Sequence, residues 1–223
     1  MKNCIIHRLK TKSYGEVLEM QKNLFEENIQ RKRNQQPTNN HLLIVEHPHV
    51  YTFGKHAKSN NLLASPEYLK TMGAEIHHIE RGGDITYHGP GQLVVYPIFD
   101  LESLNLGIKS YVEKIEAAIM DVLNQYGIEA STISDRIGVW IGVGTPHERK
   151  IAAIGIKSSR YITMHGLALN VNTDLNMFNH IVPCGIPDKA VCSIESELNE
   201  KKDLFEVQER MIDAFISIFE LQI

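Results

Sequence analysis

Arg149-Lys150-Ile151-Ala152-Ala153-Ile154-Gly155-Ile156-Lys157 is followed closely by Thr163-Met164-His165-Gly166-Leu167-Ala168-Leu169-Asn170. Both are compact apolar runs of strand length, and they predict strands at 150–157 and 163–171. A third run predicts another strand just before them, at 138–143. Strands that follow one another directly, rather than alternating with helices, favour an α+β fold with a mixed or antiparallel sheet flanked by helices. The small residues Ala152, Ala153, Gly155 and Gly166 leave room beside these strands. Lined by Ile154 and Leu167, that room suits an apolar ligand tail, although simple strand packing accounts for the same residues.

Working outward, strands are expected at 4–9, 41–46, 74–80 and 93–99. Ser13 and Glu16 form the S-x-x-E pattern that opens a helix. Val17, Met20, Leu24 and Phe25 recur on one face of it, and the polar stretch from Gln30 to Asn40 ends it. Pro66 sits at the first position of a short helix, with Gly73 past its end. A helix over 109–126 carries the stripe Val112, Ile115, Ile119, Val122 and Tyr126 and stops at Gly127. A last helix covers 204–220. There is no internal repeat and no linker, so residues 1–223 are expected to form one domain.

The chain has 223 residues, 43% of them hydrophobic, which suits a sizeable core. A formal net charge of -4 argues against general nucleic-acid binding. No stretch is long and apolar enough to cross a membrane, and Met1 to Arg8 lacks the apolar run of a signal peptide. The 3 cysteines show no CxxC spacing, so a disulfide framework is not expected and a reducing compartment is. These features predict a cytoplasmic protein. His47-Pro48-His49 and His77-His78 lack metal-ligand spacing, and no metal site or cofactor is expected.

Two further segments carry chemistry. Arg81-Gly82-Gly83-Asp84-Ile85-Thr86-Tyr87-His88-Gly89-Pro90-Gly91-Gln92 packs four glycines into twelve residues. A backbone of that kind turns tightly and lets a ligand approach closely, though a tight turn between strands is an equal reading. In Ile181-Val182-Pro183-Cys184-Gly185-Ile186-Pro187, a cysteine lies between two prolines in a turn. Most free cysteines are small buried hydrophobes; Cys184 fits that description poorly, whereas Cys4 and Cys192 fit it well.

Together with Glu46-His47-Pro48 and Val50-Tyr51-Thr52, these segments resemble, in order and over about residues 40 to 198, the lipoyl(octanoyl)transferase family. The resemblance implies a fold like the catalytic domain of biotin and lipoate protein ligases. It implies transfer of an octanoyl group from octanoyl-acyl carrier protein to a lysine of lipoyl domains, in 2-oxoacid dehydrogenase complexes and in the glycine cleavage H protein. Cys184 would carry the acyl group as a thioester and Lys150 would be its acid/base partner. The acyl pocket would comprise Arg81, Gly82, Gly83, Asp84, Ile85, Thr86, Tyr87 and His88 with Ala153, Ile154, Gly155, Gly166, Leu167 and Ala168. A thioester donor is already activated, so no nucleotide is required. A thioesterase or a non-catalytic acyl-binding protein would share these features.

Lys150 and Lys157 flank the same apolar run. Seven positions apart in a regular strand, they should point to opposite faces, unless a bulge at Gly155 intervenes. Arg149, Lys157 and Arg160, or Arg31-Lys32-Arg33, are candidates for a basic docking surface.

Overall fold

The structure is a computed structural model that describes residues 3–182 and 190–223. Its main sheet has eight strands among the described residues. They are β1 (Cys4–Thr11), β2 (Asn40–Glu46), β6 (Gln92–Ile98), β7 (Ser131–Ile133), β8 (Arg136–Ile141), β9 (Arg149–Ser159), β10 (Ile162–Asn170) and β11 (Ala190–Val191). The spatial order is β1-β2-β6-β10-β9-β8-β7, with β11 beside one end of β9. β1–β2 and β9–β11 pair parallel and the other pairs antiparallel, which is the mixed α+β sheet expected.

Alternation along these strands sends side chains to two faces. Leu93, Val95, Leu167 and Leu169 join the core beneath helices α3 (Ile108–Gln125) and α5 (Leu204–Phe219). Val94, Tyr96, Met164 and Ala168 pack instead with Val17 and Phe25 of helix α1 (Tyr14–Arg33). Ser13 caps α1 by accepting a hydrogen bond from the Glu16 N–H while its hydroxyl donates to the Glu16 carboxylate at 2.7 Å. Such a cap contributes about 1 kcal/mol.

A second sheet stands apart: β3 (Val50–Phe53) lies between β4 (Glu75–His78) and β5 (Ile85–His88). Helix α2 (Pro66–Thr71) and a 3₁₀ turn at Leu175–His180 help to cover it.

Several local expectations change. Helix α1 continues past Gln30 because tertiary contacts outweigh the polar composition. Lys32 pairs with Asp100 and Glu102, and the Asn28 side chain pairs with both backbone groups of Asn39. Part of the glycine-rich segment is not a turn but strand β5, held in register by Val50↔His88 through Phe53↔Ile85. β3, β7, β11 and the short helix α4 (Ile194–Leu198) are too brief to stand out in sequence. Among the described residues, no helix is long and apolar enough to cross a membrane.

Candidate active site

A cavity of about 360 Å³ opens between the glycine-rich segment and the β9–β10 pair. Arg81, Gly82, Gly83, Asp84, Ile85, Thr86 and His88 form one wall. Lys150, Ala153, Ile154 and Gly155 of β9, with Gly166, Leu167 and Ala168 of β10, form the other. Tyr87, expected among them, lies elsewhere. Its ring is buried against Tyr51 and Phe178 in the second sheet, and its hydroxyl meets His49 Nδ1 at 2.7 Å.

The glycine-rich wall is held by its own side chains. The Arg81 guanidinium turns inward and donates to the Thr52 carbonyl (2.7 Å) and hydroxyl (2.9 Å) of β3. The Gly82 N–H donates to the Ile156 carbonyl at 2.9 Å, which ties the segment to β9. Gly155 permits that approach: a Cβ there would stand 3.0 Å from the Gly82 carbonyl oxygen. Gly166 serves β6 in the same way, since its Cβ would meet the Val95 carbonyl oxygen at 2.1 Å.

A chain of hydrogen bonds joins two sequence motifs and continues to Cys192. Gln92 Nε2 donates to Asn170 Oδ1 at 2.9 Å, and Asn170 Nδ2 donates to the Cys192 carbonyl at 2.9 Å. Gln92 Oε1 is then the acceptor for His88 at 2.8 Å, so His88 carries its proton on Nδ1 and keeps Nε2 as an acceptor. Burial pushes His88 down to about 3, so it is neutral near pH 7. His165 is likewise pushed down to about 3, first by burial and then by the nearby Arg81 charge. Among the described residues, its Nδ1 and the Gln21 Nε2 are buried without a hydrogen-bond partner.

Lys150 lies opposite Trp140 of β8, with its ammonium 4.6 Å from the ring centre and 3.1 Å from the Ile137 carbonyl oxygen. Register decides its orientation. Val139 faces Ala152 and Trp140 faces Lys150, so β9 spends one extra residue, Ile151, in a bulge. Ile151 and Ala152 both join the α3–α5 core with Val139. Lys150 therefore shares a face with Ala153, Gly155 and Lys157. The opposite-face expectation is overturned by a bulge at Ile151 rather than Gly155. The two lysines differ instead in position along the strand, since the Lys157 ammonium pairs with Glu80 and lies 5.6 Å from the Phe25 ring centre.

Cys184 lies outside the described residues, but the chain on both sides of it is placed. Upstream, the Val182 N–H donates to the Asn61 carbonyl at 2.8 Å, and Asn61 Nδ2 donates to Asp84 of the glycine-rich wall at 2.5 Å. Downstream, Ala190 and Val191 pair in parallel with Arg149 and Lys150. The other two cysteines are buried. Burial pushes the Cys4 thiol up to about 12 and the Cys192 thiol higher still.

The cavity has further walls that the sequence reading did not name: Tyr14, Tyr96, Val112, Ile137, Trp140 and His165. His165 stands inside a quoted motif. The others reach the site only through the packing of α1, α3, β6 and β8, and nothing in their local sequence marks them. Among the described residues, no group of three or more His, Cys, Asp or Glu side chains could hold a metal ion.

Residues 14–216 match the family described as the lipoyl protein ligase A/B catalytic domain. The chain belongs to this family. It is 50% identical over 198 residues to an octanoyltransferase of Bacteroides fragilis, covering 89% of this chain and 90% of that one. It is 45% identical over 225 residues to an octanoyltransferase of Christiangramia forsetii, covering 98% and 96%. Within the lipoyl protein ligase A/B family the chain therefore groups with octanoyltransferases, and it is an acyltransferase. The fold recurs in a bipartite lipoate protein ligase from Thermoplasma acidophilum, with TM-score 0.75, 19% identity, and 100% and 86% of the two chains covered. It recurs more loosely in a biotin protein ligase from Aquifex aeolicus, with TM-score 0.53, 13% identity, and 99% and 71% covered. At such identities these two structures show the fold alone, and that fold is the one the sequence resemblance implied.

Proposed function

We propose that this chain, acting as a single catalytic domain in the cytoplasm, moves an octanoyl group from acyl carrier protein to the acceptor lysine of lipoyl domains through a thioester on Cys184. The observation that carries this reading is the pairing of β11 with Arg149–Lys150, which returns the chain from the Pro-Cys-Gly segment to the Lys150 end of the cavity. The octanoyltransferase relatives supply the chemistry being sought. The cavity supplies apolar walls, and each buried CH₂ of an acyl tail contributes about 0.8 kcal/mol.

In the first half-reaction the Cys184 thiolate attacks the carrier thioester carbonyl, the C–S bond to the carrier breaks, and Lys150 gives a proton to the departing thiolate. In the second, the neutral amine of the acceptor lysine attacks the Cys184 thioester, its proton passes to Lys150, and the Cys184 thiolate leaves. The products are an amide and two regenerated enzyme groups, so no nucleotide enters. Thiolate is the nucleophilic form of cysteine, and an adjacent ammonium favours it. Glycines 82, 83, 155 and 166 let backbone close around the tail, while Arg81 acts from behind by fixing the wall to β3.

The decisive experiment incubates the protein with octanoyl-acyl carrier protein, with and without an apo lipoyl domain, and weighs every protein by mass spectrometry. An octanoyl adduct on Cys184 that disappears as the lipoyl domain gains mass is expected. An adduct on Cys4 or Cys192, or release of free octanoate with no acylated acceptor, overturns the assignment.

A further inference from the structure

Most cations near the cavity are already paired. Arg149 bonds Glu197, Lys157 bonds Glu80, and Arg136 bonds Glu148. At the end of α1, Arg31 bonds Glu27 and Lys32 bonds Asp100 and Glu102. Four of the six cations in the basic segments singled out in the sequence are therefore neutralised within the fold, and Arg33 and Arg160 form no ion pair among the described residues. The turn at 54–61 is different. Lys55, His56 and Lys58 are all exposed on it, and among the described residues neither lysine forms an ion pair. The charge that feels Lys55 is Glu80, whose carboxylate is already bonded to Lys157.

This turn is built onto the cavity wall. The Lys55 N–H donates to the Arg81 carbonyl at 2.9 Å and the His56 N–H to the Gly83 carbonyl at 3.2 Å. Its last residue, Asn61, holds Asp84 by its side chain and Val182 by its carbonyl. Just beyond stand two exposed apolar residues, Leu63 and Tyr68, joined to His180 by a backbone bond of 2.8 Å and a ring contact of 5.6 Å respectively. Among the described residues, unpaired cations, an exposed aromatic and Val182 are thus linked by one run of contacts through Asn61 and His180.

We propose that this surface, centred on Lys55 and Lys58 with Leu63 and Tyr68 beside them, is where the acyl donor docks. It is complementary to an acidic carrier domain whose acyl chain hangs from a phosphodiester-linked thiol arm. The inference rests on the donor reading given above. Charge complementarity selects the occupant. The chain as a whole carries -4 and repels an acidic partner, so attraction has to be local. The acceptor brings a reacting lysine, itself a cation, and matches two unpaired lysines poorly. Exposed charges of this kind act mainly on encounter and are screened by salt.

The test compares two donors for wild type and K55E/K58E: octanoyl-acyl carrier protein, and the octanoyl thioester of N-acetylcysteamine, which has neither protein nor phosphate. For the double variant, KM for the carrier donor is expected to rise on the order of tenfold at about 50 mM salt and by less at about 500 mM. Its kcat and its KM for the small thioester should stay at wild-type values, as should its melting temperature. A control variant, K10E/K201E, reverses two exposed lysines elsewhere with the same change in net charge and should leave both KM values unchanged. An unchanged carrier KM in K55E/K58E, an equal rise in the control, or a rise confined to the lipoyl-domain acceptor overturns the docking site while leaving octanoyl transfer intact. If the wild type uses the small thioester but not the carrier at any salt, the donor reading itself fails and the docking site falls with it.

Discussion

Lys150 is held by two features that neighbouring lysines lack, the Trp140 ring at 4.6 Å and the Ile137 carbonyl at 3.1 Å. Both hold its side chain in one place. Replacing Lys150 by alanine is expected to slow both half-reactions, by about 10²-fold or more, as loss of a general acid/base does. Lys150→Arg keeps a cation but cannot readily lose its proton, so transfer to the acceptor should suffer more than acylation of Cys184. Single-turnover mass spectrometry of each step separates the two effects. Trp140→Leu removes a cation–π contact of about 1 kcal/mol and should lower kcat about fivefold, while Trp140→Tyr should recover most of it. The cysteines give a simpler check. With Cys4 pushed up to about 12 by burial and Cys192 raised further, one of the 3 thiols should react quickly with a disulfide reagent at about pH 8. Cys184→Ser should abolish that fast phase; its survival would show that the reactive thiol is another.

At the scale of elements, the site depends on how closely β9, β10 and the glycine-rich wall approach. A side chain at Gly155 would press on the Gly82 carbonyl, which is backbone, so Gly155→Val should displace the whole wall rather than trim the cavity. Its expected signature is a raised KM for every acyl length together with a lower melting temperature. Ala153→Leu is the cleaner probe of length. Ala153 lies on the cavity face of β9 opposite Ala168, and a larger side chain there occupies space that a long tail would fill. Each methylene displaced costs about 0.8 kcal/mol, or about fourfold in kcat/KM. Hexanoyl donors should overtake octanoyl ones in this variant, and an unchanged ranking would place the tail elsewhere. The capping box at Ser13, the glycine-rich run and the two adjacent apolar strands were legible because each depends on neighbours in sequence. Strand β5 and the extension of α1 to Arg33 were not, because their partners, β3 and Asp100, are remote in the chain.

Across the whole molecule, buried neutral histidines tie stability to pH. His88 and His165 are pushed down to about 3 and His41 to about 4, in each case chiefly by burial. In the unfolded chain they titrate near about 6.5. Between these values the unfolded state binds more protons, so stability is full above about pH 6.5 and falls as pH drops toward 4. Each histidine contributes a slope of about 1.4 kcal/mol per pH unit within that window. Urea titrations at about pH 7 and pH 5 should show a large loss at the lower pH, reduced in His41→Gln. Equal stability at both would mean that these side chains are hydrated.

What the sequence determined by itself was whatever short-range pattern encodes: an α+β fold, the order of its motifs, and the family to which they point. Helical stripes, caps and strand runs record the preferences of adjacent residues, and they remain readable in a one-dimensional string. Tertiary structure decided which of those residues meet. Tyr87 looked like its neighbours in the glycine-rich run, yet packing against Tyr51 and Phe178 and a bond to His49 hold its side chain in the core of the second sheet. Lys150 and Lys157 should have parted by parity, yet one extra residue at Ile151 put them on the same face. Trp140 and Tyr14 entered the cavity from β8 and α1 with no local mark of it. Bulges and cross-strand register arise from hydrogen bonds between distant segments and from the volume those segments must fill. That is information held by the folded chain and not by any window along it.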